Sequence, residues 1–146
     1  MLIPTLSELF QRDLRQLADQ IGQYPNEDAL WIIKGEISNA AGNLSLHLCG
    51  NLKHFVGAIL GQTGYIRDRP YEFAAKQVPR EKLLTEIEET IAVVADTLAK
   101  LSDTDLAKDY PVEKRGEIVS TAHMLFHLYG HLSYHLGQVN YLRRLL

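Results

Sequence analysis

The chain has 146 residues, 46% hydrophobic and 23% charged, a balance that fits one globular domain able to bury a core without disulfides. Its 15 basic and 18 acidic side chains leave a net charge of -3, with no basic run for nucleic acid and no acidic tail. The single cysteine, Cys49, excludes an intramolecular disulfide framework, and no run of about 18 apolar residues exists to span a bilayer.

The start, MLIPTLSE, lacks the basic leader and apolar core of a signal peptide, so a cytoplasmic protein is expected. Thr5-Leu6-Ser7-Glu8 has the form of a capping box behind Pro4, and Leu6, Leu9, Phe10, Leu14, Leu17 and Ile21 recur at helical spacing. This predicts a first amphipathic helix from about Leu6 to Ile21, ended by Gly22 and the turn-forming Tyr24-Pro25-Asn26-Glu27-Asp28. Trp31-Ile32-Ile33 reads as a short buried connector. A second helix is predicted from about Ser38 to Leu60, with Leu44, Leu48, Leu52, Phe55, Val56 and Ile59 as its apolar positions. Its Gly42, Gly50 and Gly57 are poor helix formers and read as points of close helix–helix approach.

Gly61 to Pro79 reads as an irregular connection, long for a compact domain, of the kind that crosses between parallel helices or carries function. Pro79 opens a third helix with Leu83, Leu84, Ile87, Ile91, Val94, Ala95 and Leu98 facing the core. Glu81, Lys82, Glu86, Glu88 and Glu89 form its solvated face. Ser102 to Pro111 is expected as a loop with one helical turn at Thr104–Ala107, and a last helix runs from about Glu117 to Arg144. With no repeat, no low-complexity tract and no convincing strand, the expectation is an all-α four-helix bundle forming a single domain over residues 1–146.

The last helix carries His123, His127, His131 and His135 at strict four-residue spacing. Residues four apart on a helix lie nearly one above the other, and two imidazoles so placed make a bidentate clamp for a divalent ion. All four cannot serve one ion, because His123 and His135 end up about 120° and roughly 18 Å apart. One adjacent pair needs a further ligand from a neighbouring helix, and the second helix offers His47 and His54. Three imidazoles leave a position open, the arrangement of catalytic rather than structural zinc. The plainer readings are an exposed His123 near the helix start, and packing or supporting roles for His54 and His127. Cys49 lies roughly 200° around the helix from His47 and is expected to pack rather than face the same site.

His131-Leu-Ser-Tyr-His135-Leu-Gly-Gln138 resembles the HxxxHxGQ signature that closes the last helix of DinB-like proteins. His47-Leu-Cys-Gly-Asn51 is similar to the first metal histidine of that superfamily and its following Gly-Asn pair. Arg67-Asp-Arg-Pro-Tyr-Glu72-Phe73 resembles an R-x-R-x-x-E-F loop of one branch, and Lys114-Arg115-Gly116-Glu117 resembles the RGE before the last helix. Pro70 departs from that loop, which more often has a second acidic residue there. The resemblance implies an up-down-down-up bundle with a long crossover between helices 2 and 3, and a metal triad of His47, His131 and His135. Nickel or zinc is the implied ion, with water completing the shell.

Some members of the superfamily use low-molecular-weight thiols such as bacillithiol or mycothiol. The resemblance therefore implies a metal-dependent S-transferase or hydrolase acting on a small electrophile. Gln138, Tyr134 and Asn51 are candidates for orienting imidazoles or substrate. Arg67 and Arg69 are candidates for an anionic substrate group, the plainer reading being exposed loop arginines. A homodimer is also implied. The competing expectation is a non-catalytic metal-bound bundle acting as a stress-response or interaction module.

Overall fold

The computed structural model describes residues 2–146, and over these the chain is all-helical, with isolated bridges pairing Asp109 with Ser120 and Lys114 with Glu117 and no strand. Helix α1 (Leu2–Gln23) leads through a 3-10 turn at Asp28–Trp31 to α2 (Ala41–Leu52), which continues as a wide π turn over Lys53–Ala58. A short helix, α3 (Arg69–Ala74), precedes α4 (Arg80–Ala99), and another, α5 (Asp103–Ala107), precedes α6 (Thr121–Leu145).

In α1, Ile3, Leu6, Phe10, Leu14, Leu17 and Ile21 are buried at helical spacing and pack against α4 and α6. Every residue of α2 is buried, so this helix has no solvent face; Ser45 Oγ and Asn51 Oδ1 have no partner inside, while other polar side chains find one. Asn43 does so by donating Nδ2 to the carbonyls of Glu72 (3.1 Å) and Ala75 (2.8 Å), which ties α3 onto α2. Helix α2 also packs against α4 and α6.

Contacts between α2 and α4 advance together: Lys53 pairs with Glu89, and Val93 and Thr97 fill the space beside Gly57 and Gly61. Those between α1 and α6 do likewise, from Asp13 with Tyr129 to Gln20 with Arg143. Between α1 and α4 the order reverses. Arg80 reaches the Gly22 carbonyl, while Ser7 shares a surface cleft with Leu98 and Ala99.

Several boundaries differ from the sequence-based expectation, each for a local reason. Helix α1 already includes Leu2, because Pro4 falls in the first turn, where its missing N–H costs no hydrogen bond. The expected capping box is therefore helix interior, and Ser7 Oγ accepts from Gln11 instead. Trp31 is buried, but the backbone turns extended at Ile32, so Ile32 and Ile33 are exposed rather than buried. Helix α2 starts at Ala41 instead of Ser38.

In the wide turn, Ile59 N bonds His54 O, while Leu60 N and Gly61 N both bond Val56 O. The Phe55 carbonyl accepts the Tyr110 hydroxyl at 2.6 Å. Of the three glycines read as close-approach points, only Gly57 meets a long helix, through Val93. Gly42 sits under the Trp31 ring and Gly50 under Glu72.

The connection from Gly61 to Pro79 is not wholly irregular, since α3 interrupts it behind an Asp68 cap that accepts from Tyr71 N. Pro70 fits there because the first helical turn needs no donor from it. Helix α6 starts at Thr121, capped by Ser120, rather than at Glu117. Lys114–Glu117 forms a tight turn with Arg115 and Gly116 at φ of 51° and 79°, a left-handed conformation that a helix cannot absorb. Among the described residues no helix is long and apolar enough to cross a membrane.

Candidate metal centre

Where α2 and α6 pack, His47 meets His131 and His135, which stand one turn apart on α6. One nitrogen from each lies within 4.8 Å of the others, and the three side chains could hold a metal ion. Ring centroids are 4.6 to 5.4 Å apart, and each pair of ring planes is close to perpendicular. None of the three is stacked on another, so their nitrogens approach from different directions.

His47 Nδ1 lies 3.1 Å from Glu72 Oε1 and 3.3 Å from Arg67 Nη2, and one ring atom cannot donate to the first while accepting from the second. The arginine is already spoken for: it grips Glu72 through both oxygens, Nε to Oε2 at 2.9 Å and Nη2 to Oε1 at 2.8 Å. Burial alone would raise the Glu72 pKa, but the hydrogen bonds from His47 and Arg67 outweigh it and hold the carboxyl below its usual range. An ionised Glu72 accepts the His47 Nδ1 proton, which leaves the His47 Nε2 lone pair facing the other histidines. His135 is fixed in the same sense, with Nδ1 2.6 Å from Gln138 Oε1.

Burial foremost, then the neighbouring His135 and His47, pulls the His131 pKa down to about 4. Burial also lowers that of His135, against the raising effect of the Gln138 bond. Near neutral pH both imidazoles are therefore uncharged and offer lone pairs.

The residues fit a divalent ion. His47 Nε2 and His131 Nε2 are 3.0 Å apart, a separation two lone pairs tolerate only with a proton or a cation between them. Nitrogens bound to one tetrahedral zinc at about 2.0–2.1 Å stand roughly 3.3 Å apart, close to what the side chains already adopt. His131 Nδ1 is buried without a protein partner, so this ring is the least anchored of the three. An all-imidazole set without thiolate suits a borderline divalent ion such as zinc, copper, iron or nickel, and three ligands leave a position open.

Among the other sequence-derived candidates, Asn51 is buried one turn beyond His47, with its Oδ1 unpartnered. Tyr134 is exposed, edge-on to His135 with ring centroids 5.3 Å apart. Arg69 is exposed, over the Phe73 ring at 5.1 Å, and Phe73 in turn lies 4.7 Å from the His47 ring. Arg67 corrects the reading of exposed loop arginines: its side chain is only 11% exposed and is held by Glu72.

His123 and His127 are exposed and His54 is half-buried, and none of them joins the cluster. Cys49 is fully enclosed, its thiol pushed up to about 12 by burial. Glu72 is the residue that reasoning from histidine spacing missed. Its only signal was its place in the R-x-R-x-x-E-F loop.

A family model described as a protein of unknown function, DUF1572, matches residues 3–146. The chain belongs to the DUF1572 family. No curated protein matches it. In this DUF1572 chain the three histidines, Glu72 and Gln138 all fall inside the matched span.

Proposed function

We propose that this protein is a cytoplasmic metal-dependent enzyme of the DinB-like superfamily, an S-transferase or hydrolase that acts on a small electrophile with a low-molecular-weight thiol or water. The observation that carries the reading is the convergence of three imidazoles from two helices, two of them aimed by Glu72 and Gln138. Metal-binding histidines need their second nitrogen held in this way. The order of helix contacts supports the up-down-down-up arrangement, with α2 and α4 running together and α3 within the crossover between them.

His47, His131 and His135 would hold the ion, zinc or nickel. When bound, such an ion supplies Lewis acidity that lowers the pKa of a thiol or water at its open position. Glu72 keeps His47 in the tautomer with Nε2 free, and Gln138 does the same for His135. Arg67 neutralises Glu72, so the carboxylate orients His47 without adding a net negative charge beside the site.

Metal analysis of protein purified without a histidine tag is expected to find one divalent ion per chain, lost in His131→Ala. Wild-type protein is then expected to turn over 4-nitrobenzyl chloride with a small thiol at a rate at least tenfold above His131→Ala. Equal rates would remove the enzyme reading, and stoichiometric metal without turnover would favour the interaction module.

A further inference from the structure

A groove of about 590 Å³ runs between the second half of α6 and the segment that leads into α2. Its volume lies within the range of small-molecule sites. Leu44 and Leu142 form buried apolar wall, and Tyr134 and Tyr141 stand exposed along it. His135 and Gln138 line the same groove, so it is continuous with the metal centre.

Two polar features limit what it takes. Gln138 Oε1 is committed to His135, and its NH2 makes no hydrogen bond to the described residues, leaving a donor on the groove wall. Glu36 is the one charged side chain in the lining, and its carboxylate disfavours an anion. Arg144, over the Tyr141 ring at 5.4 Å, lies outside that lining.

We infer that this groove holds the aromatic, uncharged body of the substrate, lying along Tyr134 and Tyr141 with a hydrogen-bond acceptor on the Gln138 amide. Aromatic side chains supply large contact area at low entropic cost and pair with other rings edge-on or offset. Because Tyr134 already contacts the His135 ring, an aryl group beside Tyr134 sits next to the metal centre. This specificity rests on the proposed function only in naming the occupant a substrate. The groove and its polar groups stand without it.

The test uses 4-nitrobenzyl alcohol, which combines an aryl ring with a hydroxyl acceptor, and 4-nitrobenzoate as the anionic counterpart. The Gln138 side-chain NH2 signals in a 1H–15N spectrum are expected to shift saturably with the alcohol and at least tenfold more weakly with the benzoate. Ser38→Trp, which fills the groove from its exposed rim, is expected to weaken the alcohol at least tenfold, and Tyr141→Ala several-fold, with metal content unchanged in both. His131→Ala, outside the groove, is expected to lose metal and keep alcohol binding, so a failure of the metal reading leaves the groove result legible.

In turnover of 4-nitrobenzyl chloride, Ser38→Trp is expected to raise KM at least tenfold with kcat little changed. Unmoved Gln138 signals, equal binding by Ser38→Trp or equal binding of the benzoate would overturn the site. An unchanged KM would overturn its assignment to the substrate.

Discussion

Glu72 acts on the three-histidine cluster through His47, and its own position is fixed by Arg67, so a residue outside the triad sets the direction of one of its lone pairs. Outer partners of this kind are worth about 10–100-fold in metal affinity. Glu72→Gln keeps the shape but removes the charge that makes Nδ1 the proton-bearing nitrogen. Its affinity, measured by competition with a chromogenic chelator, is expected to fall by about that factor while His54→Ala stays near wild type. An affinity unchanged in Glu72→Gln would reduce the carboxylate to packing. Although which adjacent pair on α6 would clamp an ion came only from the HxxxHxGQ resemblance at His131 and His135, the clamp itself was readable because four residues make nearly one helical turn. The choice between His47 and His54 was not, because seven residues return to almost the same face. The DinB-like resemblance pointed to His47, and the packing of α2 on α6 brings His47 rather than His54 to the α6 pair.

Helix α2 accepts α3 closely because Gly50 lacks a Cβ: one built there would collide with the Glu72 carboxylate. Two effects of Gly50→Ala oppose each other. Alanine gains about 1 kcal/mol of helix propensity, whereas prising apart the enclosed Arg67–Glu72 pair costs about 3–5 kcal/mol. The variant is therefore expected to lose about 2–4 kcal/mol in urea denaturation and to bind metal more weakly. A stabilised Gly50→Ala would mean that the carboxylate moves aside freely. The long helices α1, α2 and α4 announced themselves through apolar residues at helical spacing, and α6 through its histidines four residues apart. Helix α3 did not, since six residues are too few for a repeat and its marks, Asp68 and Pro70, are also those of a turn. The π turn left no trace either, because a shifted hydrogen bond changes no side chain.

Across the whole molecule, an ion between His47 and His131 would join residues 84 apart in the chain and clamp α2 to α6. A ligand that binds only the folded state adds about 2.7 kcal/mol at a hundredfold excess over its Kd. At this chain length that corresponds to roughly 5–10 °C in Tm. Chelator is expected to lower the Tm of wild-type protein by that amount and to leave His131→Ala unmoved; an equal drop in both would place the bound metal elsewhere. The loosened coil at Lys53–Ala58 bears on the same clamp. Excising one residue there would leave His47 in place but swing every downstream position by about 100°, carrying Glu72 and its Arg67 partner together away from His47. That surplus residue works as a phase shifter, letting the angle of the arginine loop be set independently of the helix that presents His47.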